Sequence, residues 1–376
     1  MKKRKTSQPT VMSMEFDKVL FLLTIGIAIF GIINIYSATR SYGTNSSVIV
    51  QSFALVIGMG LMLGISRFDY EQFRNMIKPI YIFSVIILLL VLMFGVTGDW
   101  GARSWIRFGA IGIQPSEVAK ICFILTFSHH LSRVEKKINQ PLILLGLLLH
   151  IGLLVGLILL EPDVGSALVF IFMFICLIFT AGISWKYILP LGAAGIASMP
   201  LIYKYVLSEY QQKRIQVFIN PDLDPLNRGY NVIQSKIAVG SGQLWGKGFL
   251  GGTQNQMGYL PTKSTDFIFS VTAEEWGFIG AVILVIALFA LVYRCLKTAS
   301  KADNSYGKYI CTGVAAMFLF HIFENVGMCI GLMPVTGIPL PLVSYGGTSM
   351  VTNMVALGLV LSVNYHNKPR TVMEVY

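Results

Sequence analysis

The chain has 376 residues, of which 55% are hydrophobic and only 12% are charged. Soluble domains usually carry about 25% charged residues, so this composition excludes an ordinary soluble protein. The net charge of +11 does not indicate nucleic-acid binding, because Lys and Arg lie in short clusters between apolar runs. The five cysteines are scattered in or beside those runs, without the spacing of a disulfide framework or a metal site.

Apolar runs of about 20 residues recur along the chain, and each is long enough to cross a hydrocarbon core about 30 Å thick. They predict an all-α polytopic membrane protein with about ten transmembrane helices. Residues 1–376 form a single transmembrane domain in this interpretation, with one large extracytoplasmic loop at 207–265. The predicted spans are Val19–Tyr36, Ser47–Ser66, Ile80–Phe94, Ser116–Leu131, Leu142–Leu160, Gly165–Ala181, Tyr187–Val206, Phe267–Tyr293, Tyr309–Leu332 and Gly346–Val363.

The distribution of basic residues predicts the orientation. One set of alternate loops and tails carries 18 Lys and Arg, whereas the opposite short loops carry only Arg40, Arg103 and Arg107. Cytoplasmic loops are enriched in Lys and Arg, so both termini are predicted to be cytoplasmic. The long polar interval between the seventh and eighth spans then lies outside.

Two ionisable residues open the fourth predicted helix. Glu117 and Lys120 are three residues apart, so they share one face. Ionisable groups within membrane segments are functional candidates, although a structural ion pair between helices is an equal and compatible alternative. Asp163, after Pro162, either caps the next helix or faces the same outer cavity as Lys120.

Several basic residues of the outer loops are candidates for binding a phosphate. Arg103 and Arg107 flank Trp105, which is also typical of the lipid–water boundary. The segment Asn231–Val239 predicts a short amphipathic helix on the outer surface, with Lys236 and Lys247 free to contact anionic headgroups. An ordinary solvated loop is the alternative.

Asp266 lies between Ser264-Thr265 and the apolar residues Phe267-Ile268-Phe269. Aspartate at the start of a helix commonly serves as a cap. The aromatic flank would alternatively desolvate the carboxylate and favour a general base. Glu274 and Glu275, further along the same apolar run, are predicted to be polar contacts inside the bundle.

The passage from Gly331 to Gly347, which includes Ser344, is rich in glycine and proline. Irregular backbone at membrane depth is tolerated only where protein or a water-filled cavity surrounds it. The passage is therefore predicted to line the same outer cavity, with a simple turn between helices as the alternative.

Six motifs in this order resemble the SEDS family of bacterial shape, elongation, division and sporulation proteins, and the resemblance covers nearly the whole chain. The glycine-rich third motif is most similar to the elongation members. The motifs are QPSE-x-x-K (Gln114 to Lys120), PDVG (Pro162 to Gly165), QSKIAVGSGQLWGKG (Gln234 to Gly248), GTQ (Gly252 to Gln254), LP-x-x-x-TDFIF (Leu260 to Phe269) and GIPLPLVSYGG (Gly337 to Gly347).

The resemblance implies a ten-helix peptidoglycan glycosyltransferase that polymerises lipid II in the bacterial cytoplasmic membrane during cell elongation. It also implies a class B penicillin-binding protein as partner. The catalytic aspartate of the family falls on Asp266, and Glu117, Lys120 and Asp163 fall on residues that shape the cavity or bind substrate. Glu324 departs from the family pattern F-x-N-x-G-M, which usually has an uncharged residue there.

These observations predict inverting glycosyl transfer on the extracytoplasmic side, with Asp266 as general base on the acceptor 4-hydroxyl. The leaving group, undecaprenyl pyrophosphate, needs charge stabilisation more than a proton. Lys120, Arg103, Lys236 or a divalent cation (Mg²⁺ or Mn²⁺) would supply it, although the sequence contains no metal-ligand cluster. Lys247 and Ser344 complete the predicted substrate-binding set. A lipid II flippase and a non-catalytic scaffold for a penicillin-binding protein are the alternatives.

The orientation can be tested with single cysteines at Asn220 and Ser305 in a background without the five native cysteines. An impermeant thiol reagent added to intact spheroplasts is expected to label the cysteine at 220 and not the one at 305. The reverse labelling would overturn the predicted orientation and an outer active site with it.

Overall fold

The computed structural model describes residues 16–96, 104–108, 111–205, 207, 209–220, 223–224 and 228–367. The predicted site residue Arg103 lies outside this part of the chain. Within it, ten helices of at least 17 residues match the ten predicted spans in order. With the three shorter helices α8, α9 and α10 included, the helices of the described residues are α1 (Lys18–Thr39), α2 (Ser46–Arg67), α3 (Ile77–Phe94), α4 (Pro115–Val134), α5 (Pro141–Leu160), α6 (Val164–Thr180), α7 (Trp185–Tyr205), α8 (Glu209–Ile219), α9 (Arg228–Ser241), α10 (Thr253–Gln256), α11 (Ile268–Lys301), α12 (Ser305–Ile330) and α13 (Gly347–Tyr365), with short 3-10 turns at Arg40–Tyr42, Tyr70–Met76 and Glu135–Lys137.

Seven helical segments of the described chain are long and apolar enough to cross a membrane, and α6 is apolar but shorter. The fold is therefore that of a polytopic membrane protein. Helix α4 falls outside this set although it lies in the bundle, and it carries Glu117, Lys120 and two histidines among its apolar residues. Nearly all of its first 14 residues are buried, so protein surrounds the charged part of α4.

The centre of the bundle is formed by α4, α12 and α13, most of whose residues are buried. Large apolar side chains are instead exposed along α2, α3 and α5, as expected of helices that face lipid. One small sheet departs from the all-α prediction. Strands β1 (Ile106–Phe108) and β2 (Ile111–Ile113) pair antiparallel before α4, and the Thr348 hydroxyl donates to Gly112 O at 2.9 Å.

Helix α11, which corresponds to the predicted span Phe267–Tyr293, is broken at Gly277. Its φ of 69° and ψ of −170° are not helical. The break leaves backbone groups on both sides without partners in the helix. The loop between α9 and α10 satisfies them: Lys247 N donates to Glu274 O at 3.0 Å, and Phe278 N donates to Gln243 O at 2.7 Å. The part after the break, 24 residues, is about 36 Å long and is sufficient to span the membrane.

The predicted outer amphipathic helix is present as α9, but it packs against the bundle and does not lie free on the surface. Val232 and Ala238 are buried. The Ser235 hydroxyl bonds both Ser270 Oγ and Cys329 O at 2.7 Å. These contacts join α9 to the first part of α11 and to the end of α12.

Residues 331–346, here called the re-entrant passage, turn back along α12. Thr336 Oγ1 donates to Glu324 Oε1, Asn325 Nδ2 donates to Ile338 O, and the His321 ring contacts Pro339 O. His321 is nine residues before the end of α12, about 13 Å deeper by the helical rise. The passage therefore enters the bundle, as its glycine and proline content predicted.

Gly31 of α1 is required by the close approach of this passage. A Cβ atom at Gly31 would lie 2.7 Å from Leu342 O and 2.7 Å from Val343 Cα. These are backbone atoms, which cannot move aside without shifting the passage. Gly26, in the same helix, has no atom within 4 Å of the corresponding position.

We expect Gly31→Val to destabilise the folded protein by about 1–3 kcal/mol, the usual cost of overpacking. Gly26→Val is the matched control, because it introduces the same side chain in the same helix without a clash. Thermal unfolding of both variants in detergent provides the measurement. Equal melting temperatures for the two variants would show that the passage does not depend on contact with α1.

Candidate functional site

Asp266 is held in place through the backbone of residues 264–266. Tyr345 N donates to Ser264 O at 2.8 Å. The Ser344 hydroxyl donates to Thr265 O at 2.6 Å, and Asn325 Nδ2 donates to Asp266 O at 2.9 Å. Three successive carbonyls are thus bound by the re-entrant passage and α12.

The environment of Asp266 bears on its two predicted roles. The residue is only 5% exposed. The N-cap residue of α11 is Phe267, so Asp266 precedes the cap position. The structure therefore does not show the capping role that the sequence left open. The role of general base stays a prediction at this stage.

Ser344 links several parts of this region. Besides donating to Thr265 O, its hydroxyl accepts from Leu340 N at 2.8 Å. Gln51 of α2 reaches the same turn, donating to Ser344 O at 3.1 Å. Ser344 therefore positions the backbone before Asp266, and its predicted contact with substrate stays a prediction.

Lys120 lies between two partners inside the bundle. Its ammonium is 2.8 Å from Glu117 Oε1 and 2.9 Å from His321 Nε2, and Lys120 itself is 1% exposed. Glu117 and Lys120 therefore form the expected ion pair, but it lies within α4 and does not join two helices, and the contact with α12 is made by His321. Since an ammonium only donates, His321 Nε2 is the acceptor, and Nδ1–H is left to donate to Pro339 O at 3.1 Å.

His321 was missed by the sequence reasoning. The available signal was an isolated ionisable residue within the apolar run of α12. Through it, Lys120 is connected to Pro339 of the re-entrant passage. Asn325, one turn further along α12, connects the neighbouring Ile338 to Asp266. Lys120 and Asp266 are therefore both connected to the re-entrant passage through side chains of α12.

Asp163 caps α6, as one of the two alternatives predicted. Its Oδ1 accepts from Ser166 N at 2.9 Å, and its Oδ2 accepts from Ser166 Oγ at 2.8 Å. Gln114, the N-cap residue of α4, lies 3.5 Å from the same Oδ2. The N-termini of α4 and α6 therefore adjoin, and helix N-termini favour anions.

Two further carboxyl groups lie near this end of the bundle. Glu161, in the turn before α6, is 1% exposed, and neither of its carboxylate oxygens has a hydrogen-bond partner in the described chain. Burial, and then the charge of Asp163, raise the pKa of Glu161 to about 8, which favours its neutral form at pH 7. Glu324 is also buried, and it accepts from Thr336 of the re-entrant passage at 2.8 Å.

The remaining predicted cations lie in the segment between α7 and α11. Lys247 is not free, because its ammonium is 2.8 Å from Glu274 Oε1 and 2.6 Å from Thr253 Oγ1. Lys236 lies across the end of α12, so closely that a Cβ at Gly331 would meet its side chain. Roles of these lysines in binding substrate stay predictions.

We expect Lys120→Ala to destabilise the protein by about 3–5 kcal/mol, because it leaves Glu117 charged and buried without its partner. Replacing Glu117→Gln and Lys120→Met together removes both charges, and it is expected to restore the folded yield in detergent without restoring activity. The yield and lipid II polymerisation are measured on the same preparations. Normal polymerisation by the double variant would assign the pair a purely structural role.

Comparison with known proteins agrees with the family resemblance that the six sequence motifs indicate. The family model of FtsW, RodA and SpoVE, described as cell cycle proteins, matches residues 15–369. The chain is 33% identical to peptidoglycan glycosyltransferase MrdB of Escherichia coli K12, over 94% of this chain and 95% of that protein. It is 35% identical to peptidoglycan glycosyltransferase RodA of Treponema pallidum, over 93% and 98% of the two chains.

Solved structures share the fold. A chain from a peptidoglycan synthase complex, studied for its coordination of polymerization and crosslinking, superposes with a TM-score of 0.79 and 30% identity, covering 93% of this chain and 97% of that one. The rod shape determining protein RodA of Thermus thermophilus superposes with a TM-score of 0.69 and 28% identity, covering 94% and 97%. The chain belongs to the FtsW/RodA/SpoVE family of cell cycle proteins.

Proposed function

We propose that this protein is a peptidoglycan glycosyltransferase that polymerises lipid II into glycan strands during cell-wall elongation. The activity is the one for which its relatives in Escherichia coli and Treponema pallidum are named. The observation that supports it most directly is the position of Asp266. The backbone that carries this buried residue is held at three successive carbonyls by the re-entrant passage and α12. His321 of α12 connects the same passage to Lys120.

In the proposed reaction, Asp266 accepts the proton of the 4-hydroxyl of the acceptor sugar. The hydroxyl oxygen attacks the anomeric carbon of the donor, and the bond from that carbon to the pyrophosphate oxygen breaks. Because one displacement occurs, the configuration at the anomeric carbon is inverted. Fixing the Asp266 backbone reduces the reorganisation needed before proton transfer, which is how positioned groups accelerate reactions.

The leaving undecaprenyl pyrophosphate takes up negative charge, so stabilising this charge is the second requirement. The adjoining N-termini of α4 and α6 supply partial positive charge. Lys120 supplies a full charge: its ammonium has three donors, of which two are directed to Glu117 and His321, leaving one for an anionic oxygen. Asp163 and Gln114 set the geometry where the two helices begin.

A divalent cation, Mg²⁺ or Mn²⁺, is a further candidate for neutralising the pyrophosphate. Among the described residues, no group of three or more His, Cys, Asp or Glu side chains could hold a metal ion. A dedicated protein site for the cation therefore does not fit these residues. We assign no step of the reaction to a cation.

We place this reaction at the extracytoplasmic face of the bacterial cytoplasmic membrane, with both termini in the cytoplasm. The excess of Lys and Arg in the opposite loops supports this orientation. We further propose a class B penicillin-binding protein as the crosslinking partner. The structural likeness to a chain of a peptidoglycan synthase complex supports such an assembly.

The decisive variant is Asp266→Asn, which keeps the shape of the side chain but cannot accept a proton at neutral pH. Removing a general base usually lowers the rate by about 10²–10⁴-fold, so polymer formation is expected to fall by this factor. Polymer length and yield from labelled lipid II are compared for wild type and variant at matched protein levels. Thermal unfolding checks that the variant remains folded.

Other outcomes would point to other functions. Polymer from both proteins would exclude Asp266 as the base. Absence of polymer from the wild type, together with transfer of lipid II across vesicle membranes, would favour a flippase. If neither activity is present and a penicillin-binding protein still binds, the scaffold interpretation gains support.

A further inference from the structure

A second polar cluster lies at the opposite end of the bundle from Asp266. It consists of Arg74 in the turn Tyr70–Met76, His129 near the end of α4 and Tyr306 at the start of α12. Tyr306 is 19 residues before Asn325, so the helical rise places the two about 28 Å apart. The cluster is therefore separate from the candidate active site and lies at the predicted cytoplasmic end.

The three side chains contact one another around the ring of Tyr306. The guanidinium carbon of Arg74 lies 5.0 Å from the ring centroid. The imidazole of His129 stands perpendicular to the same ring, with centroids 5.8 Å apart. Tyr306 is 0% exposed, so Arg74 and His129, with the packing of α12, exclude solvent from it.

Each of these side chains has a buried polar atom with no hydrogen-bond partner in the described chain: Arg74 Nε, His129 Nδ1 and Tyr306 OH. Arg Nε–H only donates, a tyrosine hydroxyl donates readily, and His Nδ1 donates in one tautomer. Buried polar groups in folded proteins are nearly always bonded, so three such atoms in one cluster indicate a missing acceptor. An arginine over an aromatic ring still has N–H groups at its edge that can donate to two oxygens of one anion.

Acceptors near the cluster already have donors. Glu135 accepts from Ser305 Oγ at 2.9 Å and from Tyr309 OH at 2.8 Å. The hydroxyl of Tyr70 accepts from Asn304 Nδ2 at 2.7 Å. The nearby carboxylate and hydroxyl oxygens are thus bonded to other side chains.

The cluster also carries positive charge that no ion pair neutralises within the described ranges. Arg74 and Arg133 both interact electrostatically with His129. Neither arginine forms an ion pair within the described ranges. Glu71, next to Tyr70, accepts from Asn304 at 2.6 Å. A ligand with negatively charged oxygens would supply the missing hydrogen-bond acceptor and would also pair with Arg74.

We propose that Arg74, His129 and Tyr306 form a binding site for a phosphate-class anion at the cytoplasmic end of the bundle. Phosphate oxygens accept from the arginine fork and from the tyrosine hydroxyl, and charge-assisted bonds of this kind are the strong ones. Two sources have this chemistry: the headgroup of an anionic lipid in the inner leaflet, and free phosphate. Binding would join the turn Tyr70–Met76 to α4 and α12, since each supplies one of the three side chains.

The test uses the full chain in nanodiscs of phosphatidylcholine and measures thermal unfolding. One arm adds phosphatidylglycerol in phosphate-free buffer, and the other adds inorganic phosphate to discs without anionic lipid. Arg74→Gln removes the charged fork, and Tyr306→Phe removes only the hydroxyl. Arg67→Gln is the matched control, because it removes an exposed positive charge at the same end of the bundle and lies outside the cluster.

We expect the anion to raise the melting temperature of wild type and of Arg67→Gln. In Tyr306→Phe and Arg74→Gln, the concentration needed for the same shift is expected to rise roughly tenfold or more, as for loss of a hydrogen bond to a charged group. Without anion, Tyr306→Phe should be as stable as wild type or more stable, because an unpaired buried hydroxyl has been removed. A shift with phosphatidylglycerol alone identifies a lipid headgroup, and a shift with inorganic phosphate identifies a free anion.

Two results would overturn the proposal. One is the absence of any shift in wild type in both arms. The other is a shift of equal size in wild type and in both cluster variants, since the anion would then bind elsewhere. If Tyr306→Phe does not fold, Arg74→Gln against Arg67→Gln still decides between these results.

Discussion

The structure depends on the hydrogen bonds that satisfy irregular backbone inside the bundle. Residues 331–346 are irregular backbone inside the bundle, and such backbone is tolerated at membrane depth only where protein or a water-filled cavity surrounds it. Asn325 and His321, from successive turns of α12, bond the carbonyls of Ile338 and Pro339, and Glu324 accepts from the side chain of Thr336. The passage in turn binds the carbonyls of Ser264 and Thr265, and Asn325 of α12 binds the carbonyl of Asp266. The same bonds that make the passage possible therefore determine the position of Asp266.

The break in α11 follows the same physical rule. A helix interrupted at Gly277 exposes donors and acceptors, and the loop at 243–248 pairs with them. The carboxylate of Glu274 then accepts from Lys247 Nζ and from the backbone N–H groups of Gln254 and Asn255. The loop therefore packs as part of the bundle, because it supplies the hydrogen-bond partners that the broken helix α11 needs.

Several charged groups inside the described bundle have an identified partner, and others do not. Lys120 has Glu117 and His321, and Arg294 pairs with Asp17 at the other end. Glu161 has no partner in the described chain and its raised pKa favours the neutral form. The Arg74 cluster is different, because an arginine stays charged and its buried donor still needs an acceptor. This difference is why a ligand is inferred at that cluster.

The sequence by itself determined the ten long helices, because runs of about 20 apolar residues have no other stable arrangement in a bilayer. It also determined that Glu117 and Lys120 share a face, since their spacing is local. Contacts between distant segments could not be predicted in this way. The bond from His321 to Lys120, the support of Asp266 by Asn325, and the break at Gly277 each require partners far away in the chain. Only the tertiary structure decided these, because local patterns specify which groups need partners but do not specify which distant residues supply them.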